Sequence, residues 1–137
     1  QNSAALWREI GNADYFAGPG DGDRAIWRLS VPPASAAGAV AAIIGQMDAR
    51  AFYDWGGGLI WVSVAERDDA GQDAIRAAIA PQGGHATLIR ASESIRARVD
   101  VFQPQPAGLA ALSVRIKDNF DPAGILNPGR MYAEPNP

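Results

Sequence analysis

Ala25-Ile26-Trp27-Arg28-Leu29-Ser30-Val31, closed by Pro32-Pro33, decides the fold. Apolar, aromatic and β-branched residues dominate the run and two prolines end it, so it reads as a strand. Alternation puts Trp27, Leu29 and Val31 on one face and Ile26, Arg28 and Ser30 on the other. The first set is apolar enough to lie under helices. The second carries a charge and a hydroxyl and faces water or a partner.

Beyond the prolines, residues 34–47 read as a helix, with Val40, Ile43, Ile44 and Met47 recurring on one side. Its other faces are mostly alanine, which allows close packing on a sheet. Residues 49–55 and 59–65 read as two strands joined by Gly56-Gly57-Gly58 in a hairpin. Asp69-x-x-Gln72 resembles a capping box. It opens a helix striped with Ile75, Ala78 and Ile79 that Pro81 ends. Gly83-Gly84 turns the chain into a fourth strand over 85–90. The order strand, helix, strand, strand, helix, strand predicts an α+β, ferredoxin-like fold. That is an antiparallel four-stranded βαββαβ sheet with both helices on one face. The other face needs a neighbour. Arg28, Tyr53, Trp55, Trp61 and His85 are assigned to it, because a solvated sheet face rarely gathers aromatics. A terminal helix, a further domain or another subunit are the candidates to cover it.

On the N-terminal side, residues 3–10 read as a short helix with Ser3 as N-cap and Gly11 as stop. Residues 17–24 are rich in glycine and aspartate and read as a mobile linker or surface loop, without the spacing of a phosphate-binding loop. The organisation expected is a helix and linker over 1–24 and the main domain over 25–137. On the C-terminal side, residues 92–99 form one or two helical turns, with Ile95 and Val99 four apart. Gln103-Pro104-Gln105-Pro106 is extended. A last helix over 107–120 is expected to bury Leu109, Leu112, Ile116 and Phe120. Asp121-Pro122-Ala123-Gly124 then fits a type I turn, and Asn127-Pro128-Gly129-Arg130 a type II turn with positive φ at Gly129. Ile125 and Leu126, between the turns, are expected to anchor the tail in a core and hold Asn127 and Arg130 in fixed directions.

Composition narrows the chemistry. The chain has 137 residues, 47% of them hydrophobic, and a formal net charge of −3. It can bury a real core, and it has no basic stripe to engage nucleic acid. Cysteine is absent, which excludes disulfides, thiolate metal sites and a cysteine nucleophile. A single histidine argues against a multi-histidine metal centre, so no metal is expected. The sequence has no apolar run of spanning length and no signal-peptide pattern at its start.

Asp-Pro-x-Gly-Ile-Leu-Asn-Pro-Gly-Arg after a helix resembles the C-terminal signature of FAD-linked oxidases of the vanillyl-alcohol oxidase type. Ile26 to Val31, Phe52-Tyr53-Asp54-Trp55-Gly56-Gly57 and Gly83-Gly84-His85-Ala86-Thr87 are similar to the FAD-binding, E-type subunit of glycolate oxidase. The resemblance covers most of the chain from about Leu6. It implies the C-terminal cap part of that subunit, with the N-terminal FAD-binding domain absent from this chain and the isolated piece inactive. The cofactor implied is FAD, held mainly by that other domain. The partners implied are that domain, the other glycolate oxidase subunits including an iron–sulfur subunit, and a small 2-hydroxy acid. The implied location is cytoplasmic, with membrane association through the complex. Asn127, Gly129 and Arg130 are the implied cofactor-binding residues. Arg28 is the candidate for a substrate carboxylate, against a salt bridge to Asp54. His85 is the candidate base, against a strand-end packing role. The family's D-type subunit carries a metal-binding histidine cluster that this sequence lacks, so substrate oxidation and electron relay both stay open. The alternatives are a free-standing ferredoxin-like binding or regulatory module and a purely structural assembly subunit.

Overall fold

The computed structural model describes residues 2–12, 14–16, 22–65 and 67–132. Its centre is β1 (Ala25–Ser30), which pairs antiparallel with β3 (Leu59–Val64) on one side and β4 (His85–Arg90) on the other. β2 (Ala49–Asp54) lies outside β3, giving the order β2-β3-β1-β4. α2 (Ala36–Ile44) and α3 (Gln72–Ile79) cross over one face. This is the ferredoxin-like arrangement that the element order predicts.

Alternation along β1 works as read. Trp27 and Leu29 are fully buried with Ile60, Val62, Val64 and Leu88 from the neighbouring strands, against Val40, Ile43, Ile75 and Ile79 of the helices. α2 is shorter than expected, because Pro33–Ser35 form a 3-10 turn ahead of it. Its buried side is Ala36, Ala39, Val40 and Ile43, whereas Ile44 is exposed. The two isoleucines are adjacent and so about 100° apart around the helix, and only one reaches the sheet.

α3 has no capping box. Asp69 Oδ1 accepts from the Gly71 N–H at 3.0 Å, and Ala70 and Gly71 both take positive φ before the helix begins. Gln72 does not reach back; its Oε1 accepts from the Asp100 N–H at 3.0 Å.

Trp27 and Arg76 tie a strap to this core. The Trp27 Nε1–H donates to the Ala70 carbonyl at 2.8 Å, and the Arg76 guanidinium lies 5.7 Å from the indole centroid. Arg76 also donates to the carbonyls of Asp100 and Phe102. The strap so held runs beside β4. The Leu88 N–H donates to Val101 O at 2.8 Å, and the Ala86 N–H to Gln103 Oε1 at 3.2 Å. Sheet donors that would otherwise stand free are thus occupied. The short α4 (Glu93–Arg96), one turn within the span read as helical, precedes the strap, and Ile95 and Val99 are buried there.

The terminal helices behave differently. α1 (Ser3–Asn12) is capped by Asn2, whose Oδ1 accepts from the Ala4 N–H, rather than by Ser3. It runs past Gly11 and buries nothing. α5 (Ala107–Phe120) has the expected bounds but also buries nothing among the described residues. Leu109, Leu112, Ile116 and Phe120 are exposed, Phe120 at 84%. Their spacing makes an apolar face, but spacing cannot say what covers it. No helix among the described residues is long and apolar enough to cross a membrane.

Candidate functional site

The face of the sheet away from α2 and α3 has a sealed half and an open half. The sealed half is at the start of β1. Arg24 reaches across it. Its Nε donates to Ser63 Oγ at 2.8 Å, and its Nη2 to the carbonyls of Ser63 and Asp48. It also pairs with the Asp48 carboxylate at 3.3 Å, which holds that carboxyl below its usual range. Arg24 lies in the stretch expected to be a mobile linker. Residues 17–21 of that stretch lie outside the described residues, but Arg24 itself is buried. Phe16 is buried on the same half, where its carbonyl accepts from Arg90.

Aromatic rings mark the boundary between the halves. Phe52 and Trp61, opposite each other on β2 and β3, stack with centroids 6.2 Å apart and planes 18° off parallel. Tyr15 and Phe16 pack on Phe52 at 5.3 and 5.4 Å. Tyr53, assigned to this face from sequence, is not on it. It pairs with the core residue Ile60, so its side chain leaves on the helix side, at the sheet edge. Phe52 takes the place given to Tyr53. Trp55 has left the sheet altogether. It sits in a turn with φ of 50°, is 79% exposed, and is fixed by a 2.7 Å hydrogen bond from its N–H to Asp54 Oδ1.

The open half carries Arg28, Ser30, Trp61, His85 and Thr87. Arg28 is exposed and lies directly opposite Trp61 on one side and Thr87 on the other. His85 is exposed too, opposite Ser30, and therefore diagonal to Arg28 at about 7–8 Å between backbones. The structure thus brings the two catalytic candidates to one face. The salt bridge between Arg28 and Asp54 is not formed; no hydrogen bond or ion pair engages Arg28 among the described residues. The Asp54 carboxylate is occupied at Trp55 instead. A recess of about 320 Å³ beside Arg67, Asp68, Ser94, Ile95 and Arg98 is built from other elements, and its two arginines face Asp69 and Asp68.

Asn127, Gly129 and Arg130 lie apart from that face, on the tail behind α5. The expected turns are both present. The Gly124 N–H donates to Asp121 O at 3.0 Å, and the Arg130 N–H reaches Asn127 O at 3.4 Å with Gly129 at φ of 65°. The anchor is not the expected one. Ile125 and Leu126 are 74% and 61% exposed. Buried Asp121 holds the tail by accepting from the Ile125 and Leu126 N–H groups and from Lys117 Nζ at 2.6 Å. Lys117 and those two amides keep its carboxyl below the usual range. The Tyr132 ring then meets Phe102, ahead of α5, so the tail doubles back along the helix.

This geometry bears on a cofactor. The tail is rigid where Asp121 grips it, and Asn127, Gly129 and Arg130 are exposed. Such residues fit a flavin that approaches from outside and touches them along an edge. They do not form a cradle that encloses one.

The chain is similar to the glycolate oxidase subunit GlcE of Escherichia coli strain K12, with 32% identity over 131 residues. The match spans 94% of this chain and 31% of that protein, so the chain spans about a third of the length of the relative it matches. The resemblance drawn from Asp121–Tyr132 and the strand segments is borne out by this match. No family model and no solved structure matches.

Proposed function

We propose that this chain is the C-terminal cap part of an FAD-binding glycolate oxidase subunit, one that oxidises a small 2-hydroxy acid to the 2-oxo acid. The observation that carries the reading is the extent of the similarity, which takes in nearly all of this chain and a third of the relative. A sheet with one half-face bare and a helix with its apolar side exposed support it, since both suit a lid that rests on a larger body.

In this reading the apolar side of α5 and the tail rest on the FAD-binding domain, and further subunits of the oxidase, an iron–sulfur subunit among them, complete the complex. The working location is cytoplasmic, at the membrane through that complex. The isolated chain is inactive. Arg28 takes the substrate carboxylate in a two-pronged hydrogen bond, which the planar guanidinium is shaped for. His85 accepts the proton of the hydroxyl, and the aromatic rings beside Arg28 keep water away. Asn127, Gly129 and Arg130 hold the flavin edge. A bound flavin supplies the two-electron acceptor.

The test uses the full-length protein in its complex. Arg28→Gln lowers kcat/KM for glycolate on the order of 10²-fold, the effect of losing a charged hydrogen-bonded pair. Asn127→Ala lowers flavin content with the fold intact. If Arg28→Gln leaves kcat/KM unchanged while flavin reduction persists, oxidation belongs to another subunit and this one relays electrons.

A further inference from the structure

The two edges of the sheet are finished differently. On β4 the outward N–H groups of Ala86 and Leu88 find acceptors in the strap, at Gln103 and Val101. β2 is the other edge, and no strap runs beside it among the described residues. The Ala65 N–H donates to Asp48 O at 3.0 Å, which sets the phase of the β2–β3 ladder. Opposed pairs in an antiparallel ladder alternate between bonded and unbonded, so Arg50, Phe52 and Asp54 bond to β3. The N–H and C=O groups of Ala49, Ala51 and Tyr53 therefore point away from the sheet. Among the described residues no other backbone segment hydrogen-bonds to them.

An open edge is a template for a further strand, and β2 is complementary to itself. A ladder between two copies must set outward residues against outward residues. The antiparallel pairing centred on Phe52 does so, with Ala51 opposite Tyr53 of the second copy and Arg50 opposite Asp54. The twofold axis repeats both pairs on its other side. A small residue then faces a large one that is 48% exposed, opposite charges face each other, and Phe52 meets its own copy at the axis. Asp54 has Oδ2 for this contact, since its Oδ1 takes the Trp55 N–H. Other registers of the same phase are worse. Centring on Ala51 sets Asp48 against Asp54, centring on Arg50 sets that cation against its own copy, and centring on Tyr53 sets Asp54 against the Phe52 ring. Like charges directly opposite are destabilising. α2 lies over the β2 side of the sheet and carries no charged residue, so two copies of it approach the axis without repulsion.

We infer that β2 is an interface between copies of this chain, which pair antiparallel in the register centred on Phe52 and join their sheets into one. Each Ala51 exchanges its outward backbone bonds with Tyr53 of the second copy. The ion pairs are exposed and serve register more than affinity. Nothing in the inference uses Arg28, His85 or the tail.

The experiment follows the full-length protein in its complex by sedimentation and by hydrogen exchange. Two copies of this subunit per particle are expected, with protection of the Ala51 and Tyr53 amides that rises with concentration. Arg50→Asp sets like charges opposite each other on both sides of the axis and should raise the dissociation constant about tenfold or more. Adding Asp54→Arg to it exchanges the signs, restores the attraction and should recover most of the lost affinity. Should Arg50→Asp fail to fold, Ala51→Pro takes its place: it removes an outward donor, spares the ladder to β3 and should give single copies. A single copy per particle at every concentration overturns the inference. Protection of the Ala51 and Tyr53 amides in that single copy then means that another segment of the full-length protein, or a different subunit, lies on the edge. Two copies whose association ignores the variants overturn it too, as does a double variant no tighter than Arg50→Asp.

Discussion

At the residue scale, two side chains with no role in chemistry govern how the site is presented. Arg24 fills the sealed half of the bare face, and Ser63 Oγ, itself buried, depends on it. Arg24→Met keeps much of the bulk but strands that hydroxyl and the Ser63 carbonyl. We expect a loss of about 2 kcal/mol in urea unfolding, the usual effect of buried polar groups left unpaired. Asp121 makes a prediction in pH. Its folded-state pKa is depressed by Lys117 and the two amides, below the ordinary 3.8. A depressed pKa means that the group stabilises the folded tail above 3.8 and stops doing so as pH falls through its lower folded value. The protection factors of the Ile125 and Leu126 amides, taken against the intrinsic exchange rate at each pH, should therefore be high at neutral pH and fall in acid. Asp121→Asn should lower them at neutral pH too, with the unfolding midpoint of the sheet unchanged. Arg24 was not legible in the sequence. It stands in a glycine- and aspartate-rich run whose composition says loop, and its partners lie 24 and 39 residues away. Asp121 was legible as a turn residue, but its grip on two amides and a lysine depends on how the tail folds back.

At the scale of elements, the strap along β4 is a device for a sheet edge. Burial lowers the Arg76 pKa, with Asp100 opposing, yet the side chain sits on Trp27 and holds two strap carbonyls. Arg76→Ala should cost about 2 kcal/mol through the lost cation–π contact and hydrogen bonds. It should also raise the aggregation rate measured by light scattering, because the freed β4 donors become a template for another chain. Element boundaries were legible where the chain is punctuated: Gly83-Gly84 before β4 and Pro106 before α5 mark starts that the structure reproduces. Parity along β2 was not. Phe52 and Tyr53 are adjacent aromatics on opposite faces, and only the facing residues Trp61 and Ile60 decide which belongs to the site. The face of α5 was legible as apolar, while its covering was not.

At the scale of the whole molecule, the sheet with α2 and α3 is one cohesive body, and α5 with the tail is an appendage. Leu109→Lys with Leu112→Lys should move the unfolding free energy of this chain by about 0.5 kcal/mol or less, since both side chains are half exposed. In the full-length protein the same pair should loosen flavin retention, if α5 rests on the domain that holds the cofactor. The position of β1 has a further bearing, on synthesis. The strand made earliest is the one flanked on both sides, and its neighbours begin at Leu59 and His85. A nascent chain cannot complete the sheet around Trp27 and Leu29 until Arg90 has left the ribosome. Non-local pairing of this kind forms late, which exposes the young chain to chaperones and to misassembly.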